Sequence, residues 1–335
     1  MQHSFGIFGG AIAPFAQAIS RASIELVHCR HEGGAAFAAI ESSLATGRPT
    51  VVLATTGPGA TNLLTGMVAA RTEGAKVLFI TGTTPAAQRG RGAFQECGGT
   101  ASALSTLFAA GPLFHHTAIL EDPAELDALF SRLMSGFARP GGFVAHVGLP
   151  LSLQTAERIT PVRPRVTSLP PAVSDPVGIG ECVELLARDS FVIWAGFGAR
   201  DAGKAVQELA ERTGAPVMCT PRAKGVMPED HPLYLGVTGL GGHGEVEAYL
   251  RAQRPSRVLV LGSRLGEMSS FWSSDFVPGG GIIHVDVDAD AFGAAYPNVP
   301  TLGVESEIGG FLAALAEAWP KDAPQKARPV ALRPA

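Results

Sequence analysis

Thr50-Val51-Val52-Leu53-Ala54-Thr55 runs without a charged residue into Thr56-Gly57-Pro58-Gly59-Ala60-Thr61-Asn62, and this junction limits the possible folds more than any other stretch. A strand apolar on both faces has to be covered on both faces, as the strands of a parallel sheet are. Two glycines around a proline then force a rigid turn. Leu63 to Ala70 continues as a helix whose free N–H groups face the strand's carboxyl end. Ligands of open α/β sheets bind at that edge.

The same grammar recurs on either side. Ser4 to Phe8 reads as a strand ended by Gly9-Gly10, and Ala11 to Arg21 as a helix with Pro14 near its first turn. A strand over 24–29 is followed by a helix over 33–46, and Lys76 to Gly82 is a further buried strand. Thr83 to Gly99 is a polar loop, long enough inside a compact domain to suggest function. A helix over Asp122 to Arg139 and a strand over Gly142 to Val147 complete a first unit, 1–153. Residues 154–175 lose periodicity and gather prolines, as a linker does.

A second unit, 176–319, repeats the pattern. Strands are expected at Phe191 to Ala195, Pro216 to Thr220, Arg257 to Gly262 and Gly281 to Val287, with helices at Asp201 to Thr213, Glu245 to Ala252 and Glu307 to Trp319. Residues 320–335 have the composition of a disordered tail. The expected fold class is therefore α/β, with two doubly wound domains of mainly parallel sheet.

Charge and cysteine usage narrow the partners. A formal net charge of −4 over 335 residues, with no run of lysine or arginine, argues against nucleic acid and anionic membrane and for a small-molecule substrate. No apolar run is long enough to span a membrane and the first residues lack signal-peptide character, which points to the cytoplasm. Cys29, Cys97, Cys182 and Cys219 are widely spaced, as reduced structural cysteines are, and no metal site is expected.

Chemistry concentrates at Arg30-His31-Glu32-Gly33-Gly34-Ala35, where an apolar strand turns into an alanine-rich helix. Burial of a carboxyl group at such a mouth favours the form that holds a proton. A helix-start glutamate that merely complements the macrodipole stays open at this point. Gly9-Gly10, Glu32 and Gly57-Pro58-Gly59-Ala60-Thr61-Asn62 are expected to meet at one sheet edge. His115-His116 falls on an expected strand and reads as structural, and His28 and His31 as packing or hydrogen-bonding residues, with His31 nearer the site. Arg89 and Arg91 stay open between a carboxylate partner and solvent.

Phe5-Gly6-Ile7-Phe8-Gly9-Gly10, then Arg30-His31-Glu32-Gly33-Gly34-Ala35-Ala36-Phe37, Thr55-Thr56-Gly57-Pro58-Gly59-Ala60-Thr61-Asn62 and Gly92-Ala93-Phe94-Gln95-Glu96 stand in an order and at separations that carry a resemblance. The first unit resembles the pyrimidine-binding domain of thiamine-diphosphate enzymes of the acetolactate synthase family. Lys224-Gly225-Val226-Met227-Pro228-Glu229-Asp230-His231-Pro232 and Ile283-His284-Val285-Asp286-Val287-Asp288 extend the resemblance to that family's Rossmann-like central domain.

The resemblance implies a role for each candidate. Glu32 would hydrogen-bond the aminopyrimidine ring nitrogen and promote the imino tautomer that removes the thiazolium proton. A 2-keto acid then loses carbon dioxide, with the cofactor as electron sink. Gly57, Pro58 and Gly59 would let backbone approach the pyrimidine, with Gly9, Gly10 and Asn62 beside it. Phe94 and Gln95 would stand over the reacting carbon. Simple decarboxylases of this kind carry an aspartate where Gly10 stands and a histidine pair near Phe94-Gln95. Without them, carboligation is favoured over aldehyde release.

In the second unit the family holds a flavin dinucleotide, an adenine nucleotide or nothing. Gly262-Ser263-Arg264-Leu265-Gly266-Glu267 departs from the flavin-binding version, which weighs against FAD. Gly196-Phe197-Gly198-Ala199 lacks the third glycine of a dinucleotide fingerprint. Gly241-Gly242-His243-Gly244 and Asp286 would line that cleft. The resemblance also implies a domain that binds the diphosphate through Mg2+, starting with G-D-G, and the sequence contains no G-D-G. The expectation is a split enzyme, two copies of each chain, whose partner holds Mg2+ and the diphosphate. A non-catalytic regulatory paralogue and a plain nucleotide-binding protein are the alternatives.

Overall fold

In the computed structural model of the chain, which describes residues 1–98, 102–109, 111–156 and 175–321, two compact units form, each around its own six-stranded, wholly parallel sheet. Residues 157–174 of the expected linker and 322–335 of the expected tail lie outside the described residues.

The first unit runs β1 His3–Gly6, α1 Ala13–Ser20, β2 Glu25–His28, α2 Glu32–Thr46, β3 Thr50–Ala54, α3 Pro58–Asn62, α4 Leu64–Glu73, β4 Lys76–Thr83, β5 His116–Ile119, α5 Leu126–Ala138, β6 Phe143–Pro150 and α6 Leu151–Gln154. The sheet order is β2-β1-β3-β4-β6-β5. The apolar strand 50–54 is central and buried at every residue. Its alternate side chains point opposite ways: Val51 and Leu53 join Ile12 at the N-cap of α1, Ala16 and Ile19 within α1, and Leu133 and Phe137 of α5 in one core. The α2 helix covers the opposite face, on β1, β3 and β4. It packs directly on α4, where Gly66 leaves no room for a side chain because the methyl of Ala36 already fills it. Glycine in the left-handed region ends both helices, Gly47 at φ 66 and Gly74 at φ 69.

The second unit runs α7 Pro176–Arg188, β7 Phe191–Ala195, α8 Gly203–Thr213, β8 Val217–Cys219, β9 Tyr234–Val237, α9 Gly244–Gln253, β10 Arg257–Leu261, α10 Glu267–Ser270, β11 Ile282–Asp286, β12 Thr301–Glu305 and α11 Ile308–Ala318. Its sheet order, β12-β11-β10-β7-β8-β9, is that of a Rossmann fold, with the strand order reversing between β7 and β10. One core joins α7, α8 and α11 to Ile193, Val217, Leu259 and Ile283, and the other joins α9 to Val192, Trp194, Val258 and Val260.

Several elements depart from the sequence reading. The first strand stops at Gly6 instead of Phe8, and α3 begins at Pro58, so the Gly-Pro-Gly turn is itself the first turn of a helix. The helix α7 and the strands β9 and β12 had no counterpart in the expectations. Gln154, placed at the start of the expected linker, donates from Nε2 to the carbonyls of Ala11 at 2.7 Å and Leu149 at 3.0 Å. Among the described residues, no helix is long and apolar enough to cross a membrane.

Candidate active site

In the first sheet the strand order turns back at β1, which lies between β2 and β3. The carboxyl ends of these three strands lead to Gly9, His31-Glu32 and Thr55-Thr56-Gly57. This is the crevice where open α/β sheets take ligands. Glu32 is the first residue of α2 and only 9% exposed. His31 caps the helix, its Nδ1 accepting from the Gly33 amide at 3.1 Å, so the neutral ring carries its hydrogen on Nε2. With its own turn closed by His31, Glu32 reaches out to α3. The Asn62 amide nitrogen donates to Glu32 Oε2 at 3.0 Å.

The other carboxylate oxygen faces the turn. A Cβ on Gly59 would stand 3.4 Å from Glu32 Oε1 and 2.6 Å from Thr55 Oγ1, so glycine there keeps a gap open between acid and hydroxyl. Gly57 adopts φ 55, and a Cβ on it would meet Gln95 Cβ at 2.8 Å. Gln95 is itself held at φ 51, with Oε1 3.5 Å from the Thr56 hydroxyl. A Cβ on Gly9 would meet Thr55 Cγ2 at 2.6 Å, so the segment that follows β1 is seated against the same turn.

The structure thus brings Gly9, Glu32, Gly57, Gly59, Asn62 and Gln95 together through Thr55 and Thr56. Pro58 sits exposed at the start of α3. Gly10 faces open space, and Phe94 is 89% exposed.

Three supporting groups have no role at the site in the sequence reading. Thr55 reads as the last residue of a strand, and its position at the head of the glycine-turn motif is the signal that it belongs to the site. Cys97 is buried beneath the turn, its thiol against the Gly57 amide, and burial pushes that thiol above its ordinary value. His146 in β6 is fully buried between Phe108 and Phe114. Its Nδ1 donates to the Leu107 carbonyl at 2.7 Å and its Nε2 accepts from the Thr81 hydroxyl at 2.9 Å, and burial holds its value down at about 4. Thr81 lies in β4 and Leu107 belongs to the loop that follows Gln95, so His146 pins that loop to the sheet.

The other sequence candidates lie elsewhere. His116 opens edge strand β5, and His115 Nδ1 accepts from the Val144 amide at 2.9 Å. His28 stacks on Phe8, centroids 5.1 Å apart. Arg89 is mostly buried and pairs with Glu121 at 2.5 Å, whereas Arg91 is exposed. The four cysteines are free, and no acidic, histidine or cysteine cluster among the described residues is arranged to hold a metal.

At the carboxyl end of β7 the glycine segment is hydrogen-bonded to the chain itself. The amides of Gly196, Gly198 and Ala199 donate to the carbonyls of Leu261, Gly262 and Gly196, and α8 begins only at Gly203. Phe197 lies under the guanidinium groups of Arg200 and Arg222, 4.4 and 4.1 Å from its centroid. His243 turns back to accept from the Val237 amide at 3.0 Å, and burial raises the Asp286 carboxyl above its usual range. These groups do not fit a dinucleotide diphosphate held on a glycine turn at a helix start.

Comparison with known proteins gives the same division. Residues 1–104 match the N-terminal TPP binding domain of thiamine pyrophosphate enzymes, and residues 179–315 match the central domain of those enzymes. The chain is 34% identical over 331 residues to an acetolactate synthase of Arthrospira platensis, covering 93% of this chain and 55% of that protein. It is 31% identical over 324 residues to the acetolactate synthase isozyme 1 large subunit of Escherichia coli K12, covering 94% and 55%. A probable acetolactate synthase large subunit of Methanocaldococcus jannaschii is 31% identical over 331 residues, with 95% and 54% covered. The chain spans about half the length of the curated relatives it matches.

Proposed function

We propose, because this chain belongs to the thiamine pyrophosphate enzymes of the acetolactate synthase family, that it forms the pyrimidine-binding half of a 2-keto acid carboligase. When bound, thiamine diphosphate supplies the nucleophilic carbon and the electron sink for decarboxylating a 2-keto acid and passing the acyl unit to a second carbonyl. The observation that carries the reading is Glu32, buried at a helix start with Oε2 anchored and Oε1 facing the gap at Gly59. The carboxyl group in that place would hold and return a proton at the aminopyrimidine ring nitrogen. Gly57 and Gly59 would let backbone approach the ring, with Gly9 behind the turn.

The side chains at the turn facing Glu32 are amides and hydroxyls: Asn62, Gln95, Thr55 and Thr56. The neighbouring His31 ring is engaged through Nδ1 by the Gly33 amide, and the Cys97 thiol lies buried against the Gly57 amide. Amides and hydroxyls orient substrate without readily giving up a proton. This supports transfer to a second carbonyl over release of an aldehyde.

The diphosphate and its Mg2+ would be held by a partner chain, in a cytoplasmic assembly with two copies of each. The outer face of the α2/α4 pair supports a partner, since Phe37, Leu64 and Val68 are 46%, 42% and 49% exposed close to the Ala36–Gly66 contact.

The test is reconstitution. The chain with a candidate diphosphate-domain partner should bind thiamine diphosphate and consume pyruvate, and the chain alone should do neither. Tight cofactor binding and full turnover by the chain alone would sink the two-chain reading. In the active complex, Glu32→Gln should slow deuterium exchange of the thiazolium proton by about 100-fold or more. An unchanged exchange rate would remove Glu32 from its role.

A further inference from the structure

Asn62 stands at a place where two kinds of role can be told apart. It closes α3, the five-residue helix that starts in the glycine turn at Pro58, and both its side chain and its backbone touch the start of α2. The side-chain amide donates to Glu32 Oε2 at 3.0 Å, and its carbonyl oxygen lies 3.5 Å from where a Cβ on Gly33 would be. The neighbouring Thr61 hydroxyl turns back to the Pro58 carbonyl at 3.0 Å, so Asn62 is the residue of this helix that reaches across.

We propose that Asn62 is a positioning residue for proton transfer and acts through Glu32 without touching the cofactor. This rests on the reading of Glu32 given above. A glutamate has three side-chain torsions, and a free carboxylate at a helix start would sweep through several orientations. The amide of Asn62 anchors Oε2 and leaves Oε1 directed at the gap beside Gly59. Because α3 starts in the turn and ends at Asn62, the same short rod sets the backbone that approaches the ring and the oxygen that serves it. An amide donor also remains uncharged across the working pH range. It favours one orientation of the carboxylate without competing for its proton.

The consequence is non-additivity. In the reconstituted complex, Asn62→Ala should slow thiazolium deuterium exchange by about 10–100-fold while leaving the cofactor Kd within about threefold of wild type. On a Glu32→Gln background, Asn62→Ala should slow exchange no further. If the two losses multiply, or if Asn62→Ala chiefly weakens the cofactor Kd, Asn62 contacts the cofactor itself and the proposal is overturned.

A readout without cofactor is available in the chain alone. Denaturant unfolding of wild type, both single variants and the double variant should show coupling between positions 32 and 62. Strict additivity there would also count against the contact. Asn62→Ser, whose hydroxyl is too short to span the gap, serves if Asn62→Ala does not fold. The two levels fail separately. Normal exchange in Glu32→Gln overturns the role of Glu32, whereas slow exchange in Glu32→Gln with normal exchange in Asn62→Ala overturns only the present proposal.

Discussion

His146 shows how much one buried imidazole can do away from the reacting groups. It touches neither Glu32 nor the glycine turn, yet it ties the loop beyond Gln95 to β4 by two hydrogen bonds. In the unfolded chain its ring takes up a proton below its ordinary value of 6.5, whereas in the folded protein it resists until about 4. Stability that depends on the neutral ring is therefore complete above pH 6.5 and lost as pH falls toward 4, by about 3 kcal/mol in all. Unfolding measured at pH 7 and pH 4.5 should show the gap between wild type and His146→Gln narrowing by about 2 kcal/mol at the lower pH. A gap that does not change with pH would mean that the ring does not titrate this way. Of the candidate site residues, Glu32, Gln95 and Asn62 stand out in the sequence because each lies in a short run of characteristic neighbours. Their mutual contacts do not, since Asn62 meets Glu32 across 30 positions and no local pattern encodes such a meeting.

At the scale of elements, the central strands β3, β4, β7 and β10 were readable because burial on both faces demands an unbroken apolar run. The edges were harder. The strand β12 is a half-exposed Thr-Leu-Gly-Val-Glu without clear alternation, and β9, though apolar and buried, is only four residues long and interrupted by Gly236 at φ 126. The helix α7 was hidden by Gly178 and Gly180 in its first turns, next to a proline-rich stretch. The glycine turn before α3 makes a sharper prediction. Gly57→Ala adds a Cβ against Gln95 at a left-handed φ and should cost about 1–3 kcal/mol of stability while displacing the Gln95 loop. Gly10→Ala faces open space, and its unfolding midpoint should match wild type. Equal losses at both positions in the same denaturation series would contradict the close approach at Gly57.

For the whole molecule, two sheets with separate cores mean that each unit has the apolar interior a domain needs. The fold class was legible from the repeated strand, glycine turn and helix. What covers the outer face of α2 and α4 was not, because an exposed phenylalanine reads the same in sequence as a buried one. That face gives a prediction in solution: Phe37→Ser with Val68→Ser should weaken concentration-dependent self-association of the isolated chain in sedimentation velocity. An unchanged sedimentation profile would mean the face is inert. The exposed face also bears on handling. The net charge of −4 vanishes near the pI of about 6.1, where electrostatic repulsion between molecules is at its weakest. Just below neutrality, attraction between bare phenylalanine, leucine and valine surfaces then goes unopposed. The isolated chain should behave there as a colloid near its precipitation boundary, and added sulfate, which strengthens the association of apolar surfaces, should push it across.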